Sequence, residues 1–291
     1  MAVDPRGLRA VPTLVVGAGY LGSAIARLCA APPVVTRRTA RRDPARPLPR
    51  GTCLIALDLD RASDRDLEAR LAPLARERAV IACLARPSGA TGAFYPRVAG
   101  RLVAALPASV RRLVWISSTS ACPDRDGPVP EADAGAPPVG PRGAAQRAAE
   151  RTVLGGCAQR GIEAVVLRLG GLVGPGRPIG GHARRANGGP LPGHGWYATN
   201  LVHLADAARL ALRASVVVGV EGRVLYGVAP DHTPRRLAYA RAARARGERP
   251  PAFEAPVPAD RRVRGKRVLA EESARRLGHR YLHPTHVYGL R

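Results

Sequence analysis

Apolar positions along this chain come in short unbroken runs, separated by longer stretches in which they fall three and four residues apart. The runs at residues 13–16, 33–36, 53–58, 79–84, 112–116, 164–169 and 223–228 predict strands. Between them, Ile25, Leu28 and Cys29 predict a helix after the first run, and Leu67, Leu71 and Leu74 one over 64–78. Further helices are expected over 98–106, 142–154 and, strongly basic, 234–246. Strands that are apolar throughout rather than alternately belong to a parallel sheet covered by helices on both faces. The expected fold is α/β, a doubly wound parallel sheet of Rossmann type with a small mixed C-terminal cap. Residues 1–170 would form the dinucleotide-binding core and 171–291 the substrate-binding cap, with the final strands returning to the core.

The first strand breaks into Gly17-Ala18-Gly19-Tyr20-Leu21-Gly22 before the first helix. That order is what a dinucleotide-binding turn requires. Gly17 permits the tight turn, Gly19 lets backbone approach a pyrophosphate, and Gly22 lets helix and strand pack closely. Tyr20 and Leu21 join them as expected cofactor contacts at a helix N-terminus whose N–H groups favour phosphate. The second strand ends in Arg37-Arg38, where an NAD site carries an acid for the ribose 2′-hydroxyl; arginine there accommodates a 2′-phosphate, so NADP(H) is the expected cofactor. Asp58, at the end of the third strand, is placed at the adenine. Leu84, Ala85 and Ser117, at later strand ends, complete the expected cofactor wall. Ser117 opens the hydroxyl run Ser117-Ser118-Thr119-Ser120, and ligands of such sheets bind outside the carboxyl ends of the strands.

Length and composition narrow this little. The 291 residues suit one large domain or one with an appendage. The net charge is +24, yet Lys266 is the only lysine among 46 basic residues. The arginines are spread as pairs instead of forming one basic arm, and aromatic residues make up 4% of the chain. Non-specific adhesion to nucleic acid is therefore expected, and a specific nucleic-acid role is not. Five scattered cysteines without metal spacing, no membrane-length apolar run and no leader pattern give a cytoplasmic expectation. His279, His283 and His286 are close in sequence, but Pro284 interrupts helical spacing, and no metal is expected.

The stretches VVGAGYLGSAIARL, LVWISSTSACPD, AVVLRLGGLVGPGR, ATNLVHLADAARLAL and GKRVLAEESARRLGH, in this order, resemble an extended short-chain dehydrogenase/reductase of the NAD-dependent epimerase/dehydratase type. The likeness covers nearly the whole chain and is nearest to the atypical reductase-like branch. It implies a Tyr-x-x-x-Lys pair on the helix after the fifth strand. Counted back from Glu150, those positions hold Arg142 and Gln146. No tyrosine lies between Tyr95 and Tyr197, and no lysine precedes Lys266, so no change of register restores the pair. Arg142 stays protonated and is no proton donor, though it can bind an anion in the substrate. Gln146 keeps a hydrogen bond to the cofactor ribose without the charge. Thr119 matches the family's hydroxyl that binds a substrate carbonyl. Ser120, Cys122 (where relatives often carry tyrosine) and Asn200 are placed at the substrate. His203 matches a position that is usually structural in relatives.

Residues 174–199 are rich in Gly and Pro and carry His182, His194, Trp196 and Tyr197. A substrate-side loop is expected there, with His182 and Tyr197 as candidates for the missing acid alongside Thr119. The reading is an NADP(H)-dependent reductase of a small molecule, such as an imine, an iminium or an activated C=C, that brings its own activation. Its alternatives are a non-redox cyclase, dehydratase or isomerase, or a non-catalytic NADP(H) sensor. Members of the family the chain resembles often dimerise through two helices beside the active site, and the resemblance implies that a homodimer here would use those at 98–106 and 142–154.

Overall fold

Every strand of the main sheet runs in the same direction. In this computed structural model, which describes residues 11–29, 31–38, 43–85, 92–181 and 189–285, the chain alternates strand and helix. The first half contains β1 (Thr13–Val16), α1 (Tyr20–Leu28), β2 (Val34–Arg37), β3 (Cys53–Ala56), α2 (Asp64–Ala75), β4 (Ala79–Ala82), α3 (Phe94–Ala105) and β5 (Arg112–Ser118). The second contains β6 (Gly127–Val129), α4 (Gly140–Gln159), β7 (Ala164–Leu169), β8 (Gly171–Val173), β9 (Leu201–His203) and α5 (Leu204–Ala214). It ends with β10 (Val224–Gly227), α6 (Arg235–Ala245), β11 (Lys266–Val268) and α7 (Glu271–Arg276). The seven-stranded sheet has the order β10-β7-β5-β4-β1-β2-β3. Its direction of growth reverses between β1 and β4, which makes that point the switch where such sheets bind ligands.

Side chains on one strand point alternately to the two faces. Leu14 and Val16 of β1 pack with Leu67 and Leu71 of α2, Leu102 of α3 and Val153 of α4. Val15, between them, packs on the other face with Ile25 of α1 and Leu210 of α5. The central strands are buried on both sides, the reason they read as unbroken apolar runs. Ser63 caps α2 by accepting a hydrogen bond from the Asp66 amide.

Some boundaries differ from the sequence pattern. The second strand extends to Arg37, the third stops at Ala56, and the helix expected from 98 begins at Phe94. α4 is longer at both ends than 142–154, because Pro141 is tolerated in a first turn. Ahead of α4 the chain forms β6 and a short 3-10 turn at Glu131–Gly135. β6 pairs in parallel with β11, and β8 with β9, forming two small ladders beyond the main sheet. β10 returns to the edge of the main sheet beside β7.

Candidate functional site

The glycine turn leaves β1 and enters α1 with three glycines in three different roles. Gly17 has φ +97, and a Cβ there would overlap the Cys83 carbonyl oxygen; one at Gly22 would overlap the carbonyl oxygen of Gly17. Both positions exclude a side chain because protein already fills the space. Gly19 differs: an added Cβ would meet nothing within 4 Å. Among the described residues nothing fills the space over Gly19, and the α1 N-terminus facing it has no side-chain cap and no acid in its first turn. Unpaired N–H groups and a partial positive charge suit an anion at this point. The turn therefore fits a dinucleotide pyrophosphate. Leu21 turns its side chain into the core, leaving only its backbone for such a role. Tyr20 donates a hydrogen bond to Pro175 O at 3.0 Å and lies under the Arg177 guanidinium, 5.6 Å from the ring centre.

Next to the turn is a cleft of about 1120 Å³. Gly17, Gly19, Arg37, Arg38, Asp58, Leu84 and Ala85, all expected from the sequence, are on its wall. The two arginines do different work. Arg37 Nε donates to Ala18 O at 2.8 Å, and its terminal nitrogen donates to Ser23 Oγ and Arg46 O. It bolts β2 to the glycine turn. Arg38 is exposed on the cleft wall, as is Arg46, whose Nε lies 3.7 Å from Asp43. The Asp58 carboxylate accepts from the Asp60 amide at 3.0 Å.

β5 ends beside β4 and runs into the 3-10 turn Thr119–Ala121, which Ser118 caps by accepting from the Ser120 amide. Ser120 Oγ is buried and has no hydrogen-bond partner among the described residues. α4 abuts this turn, since a Cβ on Gly143 would overlap the Ser120 carbonyl oxygen. Arg142, in the first turn of α4, is exposed, and Gln146, one turn on, is buried. Ser117 Oγ donates to Glu150 at 2.6 Å and lies 3.4 Å from Gln146 Oε1. Ser117 is thus turned into the α4 interface and not onto the cleft wall.

Two expected substrate contacts, Cys122 and Asn200, are engaged within the protein, and one acid candidate, His182, is left out. The Cys122 thiol is fully buried with Val129, Val228 and Val268, and burial pushes its pKa up, so it packs the core and does not meet a substrate. Asn200 is consumed as a clip: its Nδ2 donates to Lys266 O at 2.9 Å, and its Oδ1 accepts from the Val268 amide at 2.8 Å. His182 lies outside the described residues. Tyr197 is half-exposed in the cap, stacked on His194 at 4.5 Å and packed near Gly265. A second cavity of about 440 Å³ lies between β8, Leu201, Arg177 and Tyr239.

The sequence reading missed two clusters. Arg168, the last residue but one of β7, is fully buried and grips Glu150 of α4 through Nε–Oε1 at 2.9 Å and a terminal nitrogen to Oε2 at 2.6 Å. Burial opposes the Arg168 charge, but its hydrogen bonds and attraction to Glu150 outweigh that, so its pKa is raised. A charged residue inside an apolar strand was the available signal, because such a residue must find a partner. The other cluster joins His203, Asp206 and His283, whose ligand-type atoms lie within 4.8 Å of one another. His286 is outside the described residues.

This sheet order, glycine turn and switch-point cleft define a dinucleotide-binding α/β protein. The sequence profile of the NAD dependent epimerase/dehydratase family matches residues 13–215, and the chain belongs to that family. Protein YeeZ of Escherichia coli strain K12 is 33% identical over 210 residues, covering 70% of this chain and 71% of its own. Among solved structures, MoeE5 in complex with UDP-glucose and NAD is similar with a TM-score of 0.72 and 25% identity, over 94% of both chains. The UDP-glucose 4-epimerase of Thermotoga maritima superposes with a TM-score of 0.74 at 19% identity, over 93% of this chain and 94% of its own. The dTDP-glucose 4,6-dehydratase DesIV of Streptomyces venezuelae does so with 0.73 at 18%, over 94% and 92%. These last two likenesses establish the fold. Among the described residues, no helix is long and apolar enough to cross a membrane.

Proposed function

We propose that the chain is an NADP(H)-dependent reductase of a small organic molecule that works without a tyrosine–lysine pair. The observation that carries the reading is the unfilled space over Gly19 at an uncapped helix N-terminus, opening on a cleft walled by Arg38. MoeE5, at 25% identity, holds NAD, which supports a nicotinamide cofactor here. The preference for the 2′-phosphate rests on Arg38, with Arg46 on the same wall. Arg37 is already committed to Ala18, Ser23 and Arg46. When bound, the cofactor would supply a hydride. Thr119 would hydrogen-bond the group that accepts it, and the adjacent Ser120 hydroxyl is a second candidate donor. Arg142 and Gln146 offer no transferable proton. A substrate that already carries positive charge or polarisation, such as an iminium or an activated C=C, meets that restriction.

Calorimetry with NADPH and NADH, on the wild type and Arg38→Ala, tests the cofactor. NADPH is expected to bind more tightly, and loss of one arginine–phosphate contact should weaken it about tenfold while leaving NADH unchanged. Equal affinities, or NADH preferred, would sink the NADP assignment. NADPH oxidation with imine and enone panels, set against simple ketones, tests the chemistry. Turnover confined to ketones would overturn the restriction to pre-activated substrates, and none in any panel would overturn the reductase reading.

A further inference from the structure

Residues 279–285 are held to the first turn of α5 through one carboxylate and three imidazoles. Asp206 is fully buried; its Oδ1 accepts from the Leu282 amide at 2.7 Å and its Oδ2 from the His283 amide at 3.0 Å. His279 Nε2 lies 3.2 Å from the same Oδ1. The His283 ring stacks obliquely on His203, with centroids 3.7 Å apart. Apolar burial adds little at the tip of this segment, where Leu282 is 54% exposed. His203 is also the N-cap of α5: its Nδ1 accepts from the Ala205 amide at 3.2 Å. That bond requires Nδ1 to carry no proton.

We propose that His203 and His283 form a pH-sensitive latch, which holds residues 279–285 on α5 while both imidazoles are neutral and releases them on acidification. Two protonated rings at this separation repel, and Asp206 supplies a single compensating charge. Protonation of His203 at Nδ1 also sets a donor against the Ala205 amide and removes the helix cap. His279 draws on the same carboxylate at 3.2 Å, and the other groups around the pair do not offset the repulsion. The Tyr20 hydroxyl, across Gly174 from His203, carries no charge, and Arg177 over the Tyr20 ring adds positive charge. Arg213 is spent on Leu277 O, and Arg280 is exposed.

The same three residues, His203, Asp206 and His283, have the composition of a metal site. The capping bond argues against one. A ligating histidine turns its second ring nitrogen toward an acceptor, whereas the second nitrogen of His203 faces a donor. Burial, and then the nearby His283, hold the His203 pKa below the usual histidine value. A group with a lowered folded-state pKa contributes stability that is complete above its unfolded value, about 6.5, and is lost as pH falls through the folded one. Release is therefore expected on the acid side of neutrality.

Amide hydrogen exchange of Leu282 and His283 between about pH 8 and about pH 5, corrected for intrinsic rates, tests the latch. Wild-type protection should fall about tenfold or more. His203→Asn keeps a capping oxygen but does not titrate, so its protection should change less than about twofold. His283→Gln removes the repulsion and should move the midpoint to lower pH. Wild-type protection that persists at low pH, an equal loss in His203→Asn, or an unmoved midpoint in His283→Gln would overturn the proposal. A zinc arm completes it. Added zinc that protects these amides in the wild type but not in His203→Asn would assign a metal site and overturn the latch.

Discussion

Gly19 and Gly22 lie three residues apart in one motif, and the structure separates what each is for. A methyl group at Gly22 collides with the Gly17 carbonyl, whereas one at Gly19 enters open space at an ordinary φ of −82. Gly22→Ala should lower stability by about 1–3 kcal/mol, the usual range for overpacking, read as a shift in the urea midpoint. Gly19→Ala should shift that midpoint less than Gly22→Ala does, and weaken dinucleotide binding about tenfold or more by calorimetry. Matched effects in the two variants would mean that the motif is a folding device alone. The pattern showed the motif and its order directly, because glycine spacing is local. It did not show that Arg37 and Arg38 divide their labour. That depends on Ala18, Ser23 and the carbonyl of Arg46 converging on one guanidinium, and nothing in the local sequence marks that convergence.

Among the elements, α4 is the one whose placement decides the site. Gly143 sets it against the Thr119 turn, and Arg168–Glu150 fixes its middle to β7. Glu150→Gln leaves a fully buried guanidinium without its counter-charge and should cost about 3–5 kcal/mol of unfolding free energy. The double variant Glu150→Gln/Arg168→Met should recover most of that loss. Thermal and urea unfolding of the three proteins would decide it, and a Glu150→Gln protein as stable as the wild type would show that the pair contributes little. The main strands were legible as apolar runs, because burial on both faces leaves a signature within each run. The ladders of β6 with β11 and β8 with β9 were not. Each strand is three residues long, too short for a period to show, and the pairing depends on partners far away in sequence. Cys122 and Asn200 were placed at the substrate from the resemblance. Their actual neighbours, a buried cluster and the backbone of β11, belong to those same unseen ladders.

At the scale of the whole molecule the charge dominates. With a net charge of +24 the chain should adhere to duplex DNA of any sequence at low salt, and lose that affinity steeply and log-linearly as salt rises. Filter binding against salt concentration checks this. Binding that resists both salt and competitor DNA would reveal a specific partner that the composition does not predict.

The pairing of β6 with β11 has a consequence for synthesis. Every ladder among the described residues is parallel, so none of them is closed by a hairpin as the chain is made. Residues 127–129 must wait for residues 266–268 to leave the ribosome, and the Asn200 clip waits with them. The half that carries the glycine turn can acquire its first five strands while translation continues, whereas the part built on β6 closes only after residues 266–268 have emerged. A stalled or prematurely terminated chain would therefore display an open β6 edge beside a largely formed core, the kind of partial product on which chaperones act.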